Sequence, residues 1–219
     1  MPHDATHAPD AAQPRPDRNE SNDPDSVREF FAARADRWDE KFPEDGPAFE
    51  AAVAEMGLRP GDTVLDAGCG TGRALAALRA AVGAEGTVLG VDLTPEMIDT
   101  AVRKGRQRDA GLTVADVSRL PVCDGALDAV FGAGLISHLP GPEAGLRELA
   151  RTVRPDGQLA LFHPIGRAAL AARHGRQPAP DDLRAEPNLG PLLARTGWRL
   201  TSFTDEPDRY LALAVRTTD

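Results

Sequence analysis

The stretch Val64-Leu65-Asp66-Ala67-Gly68-Cys69-Gly70-Thr71-Gly72-Arg73 decides the fold of this chain. Apolar residues lead to a carboxylate, glycines then occupy every second position, and an alanine- and leucine-rich segment follows. This order predicts a buried strand that turns sharply into a helix, because glycine lacks a Cβ and permits a tight turn. The first N–H groups of the helix carry a partial positive charge. The turn is therefore a candidate site for a ligand that bears a carboxylate.

Strands and helices alternate after residue 59. Strands are predicted at 63–66, 87–92, 112–115, 126–132 and 158–163, and helices at 71–82, 95–108 and 142–153. This alternation predicts a parallel sheet buried on both faces, and right-handed crossovers make the sheet doubly wound. Two further strands, at 199–204 and 210–216, are joined by a short acidic turn and therefore form an antiparallel hairpin.

The N-terminal part of the chain differs in composition from the rest. Residues 1–25 are rich in Pro, Asp, Asn and Ala, so we expect a disordered tail. Residues 26–219 are expected to form one domain. Its first part, 26–57, is expected to hold two helices, at 27–41 with Ser26 as the cap and at 48–56.

Charge and composition argue against several classes of partner. The chain has 219 residues and a formal net charge of -9, whereas a nucleic-acid partner calls for a basic face. No apolar run approaches the roughly 18 residues that span a bilayer, and the N-terminus has no apolar core of a secretory signal. Cys69 and Cys123 suggest neither a disulfide framework nor a zinc cluster, and we expect no metal. A soluble cytoplasmic protein is the expectation.

The glycine spacing separates three kinds of nucleotide loop. The dinucleotide fingerprint G-x-G-x-x-G does not fit, because Arg73 stands at the third glycine position, and no Gly-Lys-Ser/Thr follows as in a Walker loop. Asp66, Gly68, Gly70 and Gly72 instead resemble motif I of the class I S-adenosylmethionine-dependent methyltransferases, D/E-x-G-x-G-x-G. Cys69 lies within the same loop.

A second acid follows at the end of the next predicted strand. Asp92, twenty residues after Gly72, resembles methyltransferase motif II, in which the carboxylate accepts hydrogen bonds from the ribose hydroxyls. The resemblance implies that Leu93 and Met97 form the apolar slot for adenine, although Met97 also fits ordinary core packing. Asp92 could instead cap the following helix, but Thr94 is well placed for that task, which favours the ribose role.

Two more strand ends extend the resemblance. Asp116 and Val117 resemble motif III, where the acid accepts from the adenine amino group and the next N–H meets the ring. The alternative for Asp116 is an Asx-turn before Ser118. Gly132 and Ala133, at the end of the fourth strand, should border the sulfonium and methionine end of the cofactor, because ligands of doubly wound folds lie beyond that switch point.

The resemblance implies a Rossmann-like fold with seven strands in the order 3-2-1-4-5-7-6, strand 7 antiparallel, and helices on both faces. It also implies S-adenosylmethionine as the cofactor. Phe31 and Trp38 resemble the F-x-x-x-A-x-x-W-D entry helix of the small-molecule branch that includes quinone methyltransferases. That resemblance makes residues 26–57 a lid over the cofactor and these two side chains substrate contacts. The alternative is an amphipathic helix packed on the sheet edge.

Candidate catalytic residues lie near the fourth and fifth strand ends. His138 matches the second histidine of a frequent H-H-L pattern and is either catalytic or a structural hydrogen-bonding residue. His163 ends the fifth strand, where a base would face the methyl group, and a packed or solvated histidine is the alternative. Residues 164–197 form a substrate-side insertion. Its Arg167 is either a contact for a substrate carboxylate or part of a solvated face.

The sequence therefore predicts methyl transfer to a small-molecule oxygen, nitrogen or carbon nucleophile, in bacterial secondary or cofactor metabolism. Two alternatives remain open at this point. One is a member of the fold that binds S-adenosylmethionine without transferring a methyl group, with a cyclase-like or regulatory role. The other is a nicotinamide-dependent oxidoreductase, which the glycine spacing opposes.

Overall fold

A computed structural model describes residues 23–41 and 45–218. The described part contains these helices: α1 Pro24–Ala32, α2 Gly46–Glu55, α3 Leu75–Val82, α4 Pro95–Arg103, α5 Pro142–Thr152, α6 Arg167–Arg173 and α7 Glu186–Ala194. The strands are β1 Thr63–Ala67, β2 Thr87–Asp92, β3 Gly111–Val114, β4 Leu127–Ala133, β5 Val153–His163, β6 Trp198–Glu206 and β7 Arg209–Arg216. No helix within the described ranges is both long and apolar enough to cross a membrane.

The seven strands form one sheet in the order β3-β2-β1-β4-β5-β7-β6. The first five strands pair in parallel, and β7 runs antiparallel to both β5 and β6. This arrangement confirms the predicted fold class and strand order. It also brings the carboxyl ends of β1, β2, β4 and β5 to one edge, which we call the carboxyl edge.

Alternate side chains of the sheet fill two separate apolar cores. On one face, Val64 and Phe131 pack with α2 and α3, and Phe49 of α2 stacks edge-on against Phe162 at 5.0 Å. On the other face, Leu65 and Val130 pack with α5 and α7. Each buried leucine or phenylalanine stabilises the fold by about 1.5–3 kcal/mol. The two cores hold the central strands rigid, so the carboxyl edge is a firm base for a site.

The N-terminal helix is shorter than predicted. It begins at Pro24 under a cap from Asp23, whose carboxylate accepts from the Ser26 N–H at 3.4 Å, and it ends at Ala32. The predicted helix 27–41 is therefore confirmed only as far as Ala32, the Ser26 cap is wrong, and Pro24 and Asp25 of the predicted disordered tail belong to the helix. The remaining tail, 1–22, lies outside the described residues. Two short 3₁₀ turns, Ala35–Arg37 and Asp39–Lys41, follow instead of a continuous helix.

Other predicted boundaries also move, and each shift has a backbone cause. Helix α3 begins at Leu75 and not at 71, because Gly72 has φ +82° and cannot continue a helix. Helix α4 ends at Arg103, and Gly105 then adopts φ +78° before a 3₁₀ turn. Helices α6 and α7 lie in the insertion and are absent from the predicted elements. Helix α7 escapes prediction because Pro191 lies inside it.

Candidate functional site

The loop between β1 and α3 is shaped by left-handed glycines. Gly68, Gly70 and Gly72 have φ values of +67°, +55° and +82°, a region that residues with a Cβ avoid. A Cβ at Gly72 would lie 2.6 Å from Leu75 Cδ1. The predicted sharp turn from strand to helix is therefore present, and its alternating glycines are required by the backbone itself.

Open space lies beside the middle glycine. For a Cβ at Gly70, the nearest atom is the Met97 sulfur at 4.0 Å, whereas a Cβ at Gly68 would lie 3.1 Å from Leu135 Cδ1. Met97 is 1% exposed, so it both packs in the core and borders this loop. We call residues 68–72 the cradle, because a ligand there can lie directly against the backbone of Gly70.

Two carboxylates flank the cradle, the buried Asp66 and the partly buried Asp92. Asp92 Oδ2 accepts from the Gly70 N–H at 2.8 Å, and Asp92 Oδ1 accepts from the Thr94 N–H at 2.8 Å. Burial raises the pKa of Asp92, although these hydrogen bonds oppose the rise. The Thr94 side chain makes no capping hydrogen bond to helix α4. Thr94 therefore stands at the N-cap position of α4 without the expected side-chain cap, and Asp92 accepts from the N–H of Thr94 itself, which precedes the helix.

Asp66 is the more unusual of the two acids. It is 1% exposed, and its Oδ1 has no hydrogen-bond partner among the described residues. Burial raises the pKa of Asp66 to about 8, and the nearby Asp92 charge adds to the rise. A buried acceptor without a partner costs about 1–3 kcal/mol, so a cationic ligand here would recover free energy.

The neighbouring Cys69 is not set up as a nucleophile. Its thiol is buried, and its pKa is raised by burial and by the charges of Asp66 and Asp92. Because the thiolate is the reactive form, Cys69 stays an inert thiol in the loop. Its backbone N–H donates to Val91 O at 2.8 Å and so ties the loop to β2.

Asp116, the third acid predicted to bind the cofactor, forms the Asx-turn that was its alternative interpretation. Asp116 Oδ1 accepts from both the N–H and the hydroxyl of Ser118 at 2.8 Å. Val117 is buried at 6% exposure, and Leu93 is partly buried. Whether Asp116 also contacts a nucleobase stays a prediction. The Asx-turn holds its backbone at the end of β3, beside the cradle.

Aromatic side chains from the N-terminal segment meet the end of β4. The Phe31 ring lies edge-on to His138 with centroids 5.0 Å apart and edge-on to Trp38 at 5.3 Å. His138 follows the turn that begins after Ala133 and Gly134. The structure thus brings Phe31, Trp38 and His138 together, although His138 follows Phe31 by 107 positions in the chain.

A polar clamp joins the N-terminal segment to the glycine loop. Asp39 accepts from the Thr71 hydroxyl at 2.5 Å and from Arg106 Nη2 at 2.8 Å, and Arg106 also donates to Thr71 O. Burial works against ionisation of Asp39, but these hydrogen bonds and the Arg106 charge leave its pKa below the ordinary value. We call Asp39, Thr71 and Arg106 the loop clamp. Arg106 is not among the predicted site residues.

Comparisons with known proteins match this geometry. The sequence model of a family described as a methyltransferase domain matches residues 64–157, which include the whole cradle. We call residues 64–157 the methyltransferase domain, after the family whose model they match. The chain spans 32–58% of the length of the curated relatives that it matches.

Individual relatives of the methyltransferase domain come from several bacteria. Demethylmenaquinone methyltransferase of Lactobacillus johnsonii is 35% identical over 113 residues, which are 49% of this chain and 46% of that protein. The 27-O-demethylrifamycin SV methyltransferase of Amycolatopsis mediterranei is 33% identical over 108 residues, 48% of this chain and 39% of that protein. The structure of a SAM-dependent methyltransferase from Aquifex aeolicus aligns with TM-score 0.67 at 24% identity over 89% of this chain and 99% of that chain, a likeness of fold.

The cradle of the methyltransferase domain fits S-adenosylmethionine, the cofactor of this family. The unpartnered, buried Asp66 oxygen suits an ammonium group, and the open face of Gly70 leaves room for an amino-acid chain. Asp92 keeps lone pairs for hydroxyl donors, because each carboxylate oxygen accepts more than one hydrogen bond. A phosphate-bearing dinucleotide would place anionic groups near the two acids Asp66 and Asp92, so these side chains oppose the nicotinamide alternative.

The remaining predicted residues lie on β5 and in the insertion. His163 Nδ1 lies 2.8 Å from Ile165 O and 3.1 Å from the Ile165 N. Arg167 donates to Asp205 at 2.8 Å from both its backbone N–H and its Nε, and its Nη1 lies 3.8 Å from Asp182. The arginine is therefore held by carboxylates of the protein itself.

Proposed function

We propose that the domain transfers a methyl group from S-adenosylmethionine to a small-molecule acceptor. The observation that carries the proposal is the cradle at Gly70, flanked by the partly buried Asp92 and by the buried Asp66, which has an oxygen without a partner among the described residues. This combination suits a ligand that has an ammonium group, hydroxyls and a flexible chain between them.

Each predicted cofactor residue has one task in this proposal. Asp66 binds the ammonium, Asp92 accepts from the ribose hydroxyls, and Asp116 accepts from the adenine amino group. Leu93 and Met97 form the apolar slot for adenine, and the Val117 N–H meets the ring. The backbone beside the methionine end is formed by Gly68, Cys69, Gly70, Gly72, Gly132 and Ala133. The positive charge of the sulfonium disperses as the methyl group leaves. Uncharged groups around it favour this step, because water would stabilise the charged starting state instead.

Positioning is the main contribution of the protein. The bound cofactor supplies an already activated methyl group, so the residues around it orient the acceptor and exclude water. Phe31 and Trp38 are proposed to form one wall of the acceptor pocket, with residues 26–57 as the lid and 164–197 as the opposite cover. The edge-on contacts of Phe31 with Trp38 and His138 support this placement.

His163 is proposed as the general base, with His138 as a second polar group near the acceptor. The tautomer with a proton on Nδ1 donates to Ile165 O at 2.8 Å and leaves Nε2 with its lone pair. That lone pair can take a proton from a hydroxyl or amine as the nucleophile attacks. The other tautomer accepts from the Ile165 N–H and presents a donor instead.

The relatives support a small organic acceptor. Two of them are named for demethylmenaquinone and for 27-O-demethylrifamycin SV, and both come from bacteria. We therefore propose a role in bacterial cofactor or secondary metabolism, in the cytoplasm and without nucleic acid as a partner. In the proposed pocket Arg167 contacts the substrate, although a substrate carboxylate would compete there with Asp205.

Calorimetry and a label-transfer assay test the proposal together. We expect saturable binding of S-adenosylhomocysteine and transfer of label from [methyl-³H]-S-adenosylmethionine to at least one member of a panel of hydroquinones, phenols and amines. Cofactor binding with the label retained against the whole panel would favour the cyclase-like or regulatory alternative. Absence of binding would overturn both functions.

The base assignment has its own test. His163→Ala should slow methyl transfer by about 100-fold, within the usual range for loss of a general base, while S-adenosylhomocysteine affinity stays within about twofold. His174→Ala, which changes an exposed histidine of the insertion, is the control and should leave the rate unchanged. Equal rates for the His163 variant and the native protein would remove His163 from the mechanism.

A further inference from the structure

Tyr210 lies beside the proposed base but belongs to no site described so far. It is the second residue of β7 and pairs in register with His163 at the end of β5. Directly opposed residues of antiparallel strands have their Cβ atoms about 4.5–5.5 Å apart on one face of the sheet. Tyr210 therefore occupies the carboxyl edge, on the same side of the sheet as His163.

The hydroxyl of Tyr210 is buried without a partner among the described residues. The whole residue is 1% exposed, and its ring lies edge-on to Phe203 with centroids 5.6 Å apart. Packing explains the ring, but a phenylalanine would satisfy the same packing without the cost of burying a hydroxyl. A buried polar atom left unpaired costs about 1–3 kcal/mol and is uncommon in native proteins, which indicates that a further group satisfies it.

The charged groups around this hydroxyl balance one another. Arg167 pairs with Asp205 at 2.8 Å, and Arg184 pairs with Asp182 at 3.0 Å. Two positive and two negative charges give these four residues no formal net charge. Burial raises the pKa of Tyr210 well above its ordinary value, so its hydroxyl keeps its proton at neutral pH. It offers one O–H donor in surroundings that select neither a cation nor an anion.

From this placement we propose that Tyr210 binds the methyl acceptor, donating its O–H to an uncharged oxygen such as a carbonyl, ether or hydroxyl oxygen. This inference rests on the proposed function and names the class of acceptor that the site selects. Tyr210 on β7 and His163 on β5 then contact the same acceptor molecule at two different atoms. Besides its proposed contact with the substrate, Arg167 pairs with Asp205, and this pairing keeps the surroundings of Tyr210 neutral.

The chain contains a single tyrosine, which gives the test a direct probe. Protein labelled with ¹³C-tyrosine shows the ring signals of Tyr210 alone. It would be saturated with S-adenosylhomocysteine and titrated with 2-naphthol, which carries an uncharged oxygen, and separately with 2-naphthoate, an anion of similar size. We expect 2-naphthol to shift the tyrosine Cζ signal, and 2-naphthoate to bind about tenfold more weakly or not at all.

Tyr210→Phe completes the test. It should weaken 2-naphthol binding about tenfold, the usual effect of losing one buried hydrogen bond, and leave S-adenosylhomocysteine affinity within about twofold. Its melting temperature should equal or exceed that of the native protein. Phe203→Leu, which disturbs the ring contact but keeps the hydroxyl, is the control and should retain 2-naphthol binding.

Several outcomes would overturn the proposal. They are no binding of 2-naphthol, binding that leaves the tyrosine signal unchanged, or equal 2-naphthol affinity in Tyr210→Phe. A fall of several degrees in the melting temperature of Tyr210→Phe would show instead that the hydroxyl has a structural partner such as a buried water. Loss of S-adenosylhomocysteine binding by the native protein would be a failure of the proposed function, and the two failures are thus distinguishable.

Discussion

The two halves of the site are built in different ways. The cofactor half, at the ends of β1 to β4, depends on backbone geometry: three left-handed glycines and a backbone N–H bound by Asp92. The proposed acceptor half, formed by residues 24–41, His138 and residues 163–210, depends on side-chain pairs between distant segments, such as Asp39 with Arg106 and Arg167 with Asp205. A short stretch of sequence specifies the first half, whereas long-range pairing specifies the second.

This difference predicts how the halves respond to change. Backbone strain at a left-handed position cannot be relieved by a neighbouring side chain, so substitutions in the cofactor half should have large effects. Partly exposed ion pairs contribute less, because solvent screens them and holding two long side chains costs entropy.

Gly70→Val should have the largest effect. The valine would adopt an unfavourable φ of +55° and fill the open side of the cradle, so S-adenosylhomocysteine binding should become undetectable by calorimetry. Gly175→Val is the matched control, because Gly175 has φ +65°, open space around its Cβ position and a place in the insertion. Comparable loss of cofactor affinity in both variants would show that strain alone, and not the cradle, is responsible.

Asp92→Ala should come next, with S-adenosylhomocysteine affinity reduced about 100-fold. The variant loses the proposed ribose acceptor and leaves the Gly70 N–H without its carboxylate, each worth about 1–3 kcal/mol. Asp128→Ala is a fitting control, because Asp128 also accepts from a strand N–H, that of Thr63 at 2.7 Å, at the opposite end of the sheet. Unchanged affinity in a folded Asp92 variant would refute the ribose role.

The loop clamp should give a smaller effect. Asp39→Ala removes the acceptor of Thr71 and Arg106, so the N-terminal segment should release the cofactor about fivefold to tenfold faster. Stopped-flow dissociation of S-adenosylhomocysteine measures this rate. In a double-mutant cycle, Asp39→Ala and Thr71→Val should couple by about 1 kcal/mol, and additive effects would mean that the two residues act separately.

The free energy of unfolding of the ligand-free protein should also depend on pH, because Asp66 is buried. Between the ordinary carboxyl pKa of 3.8 and about 8, the folded state holds a proton that the unfolded chain has lost. The free energy of unfolding should therefore fall as pH rises through this window. Asp66→Asn should remove this contribution, as urea titrations at pH 5 and pH 8 can measure. An identical pH slope in the two proteins would contradict the raised pKa.

The cofactor half was largely predictable from sequence. The carboxylate before alternating glycines predicted the turn and its strand, because few residues other than glycine adopt the required φ. The helix that follows starts later than predicted, since Gly72 delays it until Leu75. Thr94 was predicted correctly as the N-cap position, but its side chain makes no capping hydrogen bond, which pattern alone does not show.

The acceptor half was predictable in position but not in detail. The roles of the aromatic and histidine residues stay predictions, and the helix predicted for 27–41 breaks after Ala32, where tertiary contacts override its periodicity. Asp39 must leave the helix to reach Thr71, a contact across 32 positions that no local pattern reports. Arg106 and Tyr210 were missed for the same reason, since their partners or neighbours lie far away in sequence.

The central claim is that the cradle with its buried Asp66 receives the ammonium end of the cofactor. Calorimetric titration of S-adenosylhomocysteine at pH 7, in phosphate and in Tris, tests it directly. Asp66 is protonated in the free protein and ionises against the ammonium, so we expect binding to release close to one proton and the apparent enthalpy to differ between the buffers. Asp66→Asn should lose this difference. Absence of saturable heat, or a native binding enthalpy that is the same in both buffers, would contradict the account.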